Sequence, residues 1–170
     1  MKTATIILLF VGIALFVAYT CYAVKKAGMP KSLSQTYYLM KAYKQGWMFQ
    51  FTLVLLGFFL LPAWINLSPD WWMFLGFISC GSIIFVGAAA RYLRMEEKHI
   101  HTACAWIAAA SSVLWSILSY DWLWISPVVF AIAGGIFALI YRKSYYFWLE
   151  MAAFANAFVS LIVAIFIQTW

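Results

Sequence analysis

Residues 91–119 read RYLRMEEKHIHTACAWIAAASSVLWSILS, and this stretch decides the fold. It opens on the densest group of charges in the chain (Arg91, Arg94, Glu96, Glu97, Lys98, His99, His101) and passes without a break into alanines, serines and large apolar residues. Small and hydroxyl residues in an otherwise apolar helix are what a membrane protein uses where helices approach closely or where something polar is held. The segment is therefore expected to sit at the centre of a helical bundle, with the other apolar segments arranged around it.

The composition agrees with a bundle in a membrane. Hydrophobic residues make up 67% of the chain and charged residues 9%, against roughly a quarter charged in an ordinary soluble domain. Working outward from residues 91–119, six apolar segments can be marked: Ala4–Val24, Trp47–Ile65, Trp71–Ala90, Thr102–Leu118, Trp122–Tyr141 and Tyr146–Trp170. Each is near the ~20 residues a helix needs to cross ~30 Å of hydrocarbon. The loops that remain are too short for a soluble domain. The expected fold is all-α: a polytopic integral membrane protein with six transmembrane helices in a single domain covering residues 1–170.

The connections support this division. Asn66–Asp70 (NLSPD) is a turn signal between the second and third segments. Ser119–Asp121 and Arg142–Ser144 are so short that the segments they join must be antiparallel neighbours. Pro62 falls near the end of the second segment and is expected to kink or fray its last turn. The longest connection, Lys25–Gly46, starts with the helix breakers Gly28 and Pro30. Ser32 and Gln35 then have capping-box spacing. Leu33, Tyr37, Met40 and Tyr43 recur at helical spacing, which fits either a short helix lying flat among headgroups or a solvated linker.

Orientation follows from the basic residues. Lys25, Lys26, Lys31, Lys41 and Lys44 lie in the first connection, Arg91, Arg94 and Lys98 in the third, Arg142 and Lys143 in the fifth; of 11 basic residues only Lys2 lies on the opposite side. By the positive-inside rule the basic loops are cytoplasmic, both termini are outside, and the expected location is the inner (plasma) membrane. The same bias argues that the first segment is an uncleaved helix and not a signal peptide. Tryptophans (Trp64, Trp71, Trp72, Trp122, Trp124, Trp170) gather at the outer ends and tyrosines (among them Tyr37, Tyr43, Tyr141, Tyr146) at the basic ends, as interfacial anchors do. The net charge of +6 reads as topology and contact with anionic headgroups of membrane lipids, and no nucleic-acid partner is expected.

Chemistry has few places to be. Cys21, Cys80 and Cys104 are scattered over three segments with no CxxC, which disfavours a disulfide framework. GxGxxG, GxxxxGK[ST] and GxSxG are absent, and two histidines are too few for a three-histidine zinc centre; no cofactor is implied. Glu97, His101 and Cys104 are spaced i, i+4, i+7 on one helix face, a weak metal-ligand set that reads more readily as an interfacial ion-pair cluster. Glu150 is the acid placed within an apolar span, and such a group should find a partner; Arg91, Arg94 and His101 are the candidates on its side of the membrane. Deeper, Asn156, Ser112, Ser79 and Ser82 lie at similar depth, forming either a binding layer or ordinary interhelical hydrogen bonds. Three functions stay open: binding or translocation of an apolar or amphiphilic small molecule or lipid; an accessory subunit packed on a membrane protein partner or on its own copies; and a lipid-modifying enzyme resting on Glu97, His101 and Glu150.

Overall fold

Apolar runs of this length have no backbone partners in hydrocarbon except their own, so they fold as helices. The computed structural model describes residues 3–91, 93 and 95–169. Its helices are α1 (Thr3–Ala27), α2 (Gln35–Lys41), α3 (Trp47–Leu67), α4 (Met73–Ala88), α5 (Met95–Ser119), α6 (Ile125–Ile140) and α7 (Tyr145–Thr169), with single 3-10 turns at Asp70–Trp72 and Arg142–Ser144. Among the described residues there is no strand. Five helical stretches are long and apolar enough to cross a membrane, while α6 is a shorter apolar helix of 16 residues. The chain is a helical bundle with the apolar surface of a membrane-embedded protein.

The centre of the bundle is α3 rather than α5. Phe49, Leu53, Leu56, Leu60, Ala63, Trp64 and Leu67 of α3 are at most 2% exposed, and α3 packs on α1, α2, α4 and α7. The reason is that α3 is apolar all round, and a helix without a polar face gains most from being enclosed. By contrast α5 keeps one side outward, with Trp106 73% exposed. The layers follow chain order: α1 beside α3, α3 beside α4, α4 beside α5, and α6 against α7. The seam between α5 and α7 is sparse, so these two helices do not close on each other along their length.

Close approach between α3 and α4 depends on Gly57. A Cβ at that position would stand 2.6 Å from Ile84 Cγ1 and 2.9 Å from the Cys80 carbonyl oxygen. On the other side of the bundle, Gly134 of α6 plays the same part against Ala152 of α7, and Ala138 is fully buried beside it. Ala131 and Gly135 of the same helix do not share this contact: Ala131 is exposed, and a Cβ at Gly135 would meet nothing within 4 Å.

Three expectations about elements change. Pro62 lies inside α3, which continues to Leu67 while the Asn66 side chain donates to the Pro62 carbonyl at 2.7 Å. The helix of the fourth segment begins at Met95, seven residues before the apolar run at Thr102, and carries Glu97 and His101 as their spacing implied. The apolar face of the first connection does not lie on headgroups: Leu33, Tyr37 and Met40 are buried in the core, and Tyr43 alone of that set is half exposed. Of the tryptophans expected at the interface, Trp71 and Trp122 are strongly exposed, whereas Trp64 is buried edge-on against Trp115. Trp170 and Lys2 lie outside the described residues.

Candidate functional site

At the basic end of the bundle, the segment before α2 is folded inward and tied to two helices. The Phe147 N–H at the start of α7 donates to the Lys31 carbonyl at 2.9 Å. One turn along α7, Glu150 Oε2 accepts the Leu33 N–H. The next residue, Ser34, meets His101 Nε2 of α5 at 2.8 Å. His101 Nδ1 in turn lies 3.0 Å from the Ala89 carbonyl at the end of α4. A carbonyl only accepts, so Nδ1 carries the proton, and in the neutral ring Nε2 accepts from the Ser34 hydroxyl. The sequence brings this about through Gly28, whose φ of +82° turns the chain back at the end of α1 in a conformation glycine adopts without penalty. Around Ser32 and Gln35 one of the two expected reciprocal caps forms in register and the other one residue early. The Gln35 N–H donates to Ser32 Oγ, and the Gln35 side-chain oxygen accepts from the Lys31 N–H.

Beneath this cap lies a cavity of about 100 Å³. Its walls are Phe49 and Leu53 of α3, Ser79, Ile83 and Val86 of α4, Ala105, Ala108, Ala109 and Ser112 of α5, and Glu150, Ala153, Phe154 and Ala157 of α7, with Leu33 and Ser34 as the lid. Three sides are shut. Phe154 packs on Phe16 of α1 at 4.4 Å between ring centroids. The α3–α4 seam is closed at Gly57, and Ser79 donates across the α4–α5 seam to the Ala108 carbonyl at 3.2 Å. The facing alanines of α5 and α7 (Ala105, Ala108, Ala109 and Ala153) remain partly exposed, so the cavity opens sideways between those two helices.

Further from the basic end, the same two helices are pinned. Ser116 of α5 and Ser160 of α7 stand 2.9 Å apart, Ser160 reaches Ser126 of α6 at 3.1 Å, and Ser126 donates to Asn156 Oδ1 at 2.8 Å. Trp115 closes this level, fully buried, with its indole N–H on Ser68 Oγ at 2.7 Å. The α5–α7 pair is thus joined at one end and separated by alanines at the other. Small side chains on both helices make the gap, since no side chain there is large enough to span it.

The residues singled out in the sequence divide accordingly. Glu150, Ser79 and Ser112 line the cavity, and His101 backs its lid through Ser34. Arg91 does not join them: its guanidinium pairs with Glu97 at 2.9 Å and its N–H meets the same carboxylate at 3.0 Å, on an exposed surface. Arg94 lies outside the described residues. Asn156 belongs to the serine knot, with Nδ2 lacking a partner among the described residues, and Ser82 is buried in α4 without lining the cavity. Glu97, His101 and Cys104 do not assemble as metal ligands, because Glu97 holds Arg91 and both ring nitrogens of His101 are engaged by protein; no metal-holding group of three is found among the described residues. Sequence reasoning missed Leu33, Ser34 and the alanines of α5 and α7. The run Ala108–Ala110 and the pair Ala152–Ala153 were the available signal for a gap. Comparison with protein-family models, with curated proteins and with solved structures finds no match.

Proposed function

We propose that the protein binds an apolar or amphiphilic small molecule or lipid in the cavity between α5 and α7. The observation that carries this reading is a lined space whose walls are largely apolar, with Ser34 and Glu150 at its lid, Ser79 and Ser112 deeper in, and partly exposed alanines of α5 and α7 along its open side. That is the distribution of a ligand pocket for a molecule arriving from the membrane. In this reading α6 is the sixth span, its 16 residues giving about 24 Å at 1.5 Å per residue, completed by the turns at either end. The basic end is cytoplasmic by the bias of Lys and Arg, both termini are outside, and the membrane is the inner (plasma) membrane. The cavity then lies in the inner half of the bilayer.

Filling the gap tests the proposal. Ala109→Phe places a ring in the cavity, whereas Ala110→Phe places the same ring on the exposed side of α5. Native mass spectrometry of protein released from its membrane should show an amphiphile adduct on the wild type and on Ala110→Phe, and its loss from Ala109→Phe. Equal occupancy in the three proteins, or none in any, would contradict it.

A further inference from the structure

The occupant's head can be read from the hydrogens around the cavity, and this rests on the reading just proposed. Four polar side chains line the space: Ser34, Ser79, Ser112 and Glu150. Each serine has already committed its single O–H to the protein. Ser79 donates to the Ala108 carbonyl at 3.2 Å, Ser112 to the Ala109 carbonyl at 2.9 Å, and Ser34 is directed to His101 Nε2 at 2.8 Å because Nδ1 is engaged by the Ala89 carbonyl. What these hydroxyls leave facing the cavity is oxygen lone pairs. Glu150, as the carboxylate, adds more of the same: Oε2 takes the Leu33 N–H, and Oε1 makes no hydrogen bond among the described residues and is not sealed off by neighbours. Among the described residues, Arg91, an arginine that could have offset this, pairs with Glu97 away from the cavity.

We infer that the cavity selects an amphiphile whose head donates hydrogen bonds, a primary amine or a hydroxyl, and that it rejects an anionic head. An acceptor-only lining leaves a carboxylate or phosphate with no donor and places it against Glu150, and like charges in juxtaposition at a desolvated site are strongly unfavourable. A donating head instead meets Glu150 Oε1 and the lone pairs of Ser34 at the lid, with its chain running along Ala105, Ala109 and Ala153 towards the sideways opening. A cavity of about 100 Å³ takes the head and the first carbons, and the rest of the chain leaves by the sideways opening.

Four probes of equal chain length discriminate: dodecylamine, dodecanol, dodecanoate and dodecyl phosphate, each titrated at pH 8 into protein held in phosphatidylcholine nanodiscs. Dodecylamine should bind at least about tenfold tighter than dodecanoate or dodecyl phosphate. Binding by the amine alone, or by amine and alcohol together, supports the inference and tells an ammonium from a hydroxyl. In Glu150→Gln the amide oxygen still accepts the Leu33 N–H while the new NH₂ donates, so dodecanoate should approach the amine. Equal binding of amine and carboxylate to the wild type would overturn the inference and leave the cavity as a general amphiphile site. Failure of all four to bind would overturn the binding reading beneath it. The wild-type ranking distinguishes these outcomes even if Glu150→Gln does not fold.

Discussion

At the scale of single residues, Glu150 is the most informative position. An acid inside an apolar span is conspicuous in the sequence, and it must find a partner. The partner is a backbone N–H, that of Leu33, 117 positions away. Replacing Glu150 by Leu strands that N–H in a poorly hydrated site, at a cost of about 1–3 kcal/mol, and should release the segment from Lys31 to Ser34. Hydrogen exchange at the Leu33 amide should accelerate sharply in Glu150→Leu and little in Glu150→Gln, which keeps an acceptor; equal exchange in both would show that no such tether holds the segment. A backbone donor carries no side-chain signature, so this contact is not legible in the sequence, whereas arginines are visible and point towards Arg91. Arg91 instead holds Glu97 with its own side chain about half exposed, and an exposed pair of this kind contributes ~0–1 kcal/mol.

At the scale of elements, helix existence was legible and helix placement was not. Long apolar runs and tight turns mark out the helices, because an apolar run in hydrocarbon satisfies its backbone groups within itself. Small residues draw attention to α4, α5 and α7, yet the hub is α3, whose single glycine hides its role. Its uniform apolarity is the usable sign. Likewise, the periodic face of Leu33, Tyr37 and Met40 reports an apolar stripe without reporting whether lipid or protein covers it; the core does. The α3–α4 contact makes a paired prediction. Gly57→Ala forces a Cβ to 2.6 Å from Ile84 and should destabilise the solubilised protein by about 1–3 kcal/mol. Gly81→Ala meets nothing within 4 Å and should leave stability unchanged or raise it by roughly 0.5–1 kcal/mol. Thermal unfolding in one detergent checks both, and similar melting of the two variants would count against the packing described.

At the scale of the whole molecule, the proposed orientation and the site are joined: the basic end of the bundle, placed in the cytoplasm under that proposal, is the end at which Leu33 and Ser34 close the cleft between α5 and α7. The proposed orientation rests on charge bias alone, a pattern open to the sequence, while the cleft depends on how two parallel helices diverge, which no single-helix pattern encodes. Cysteine labelling tests the two together, in a chain whose own Cys21, Cys80 and Cys104 are replaced by serine. Asp121→Cys should react with an impermeant maleimide from outside intact cells, and Lys143→Cys only after permeabilisation. Ala109→Cys should resist the impermeant reagent, react with a lipid-soluble maleimide, and be protected by dodecylamine. Reversed labelling of Asp121→Cys and Lys143→Cys would contradict the orientation, and an Ala109→Cys that dodecylamine leaves unprotected would contradict the site.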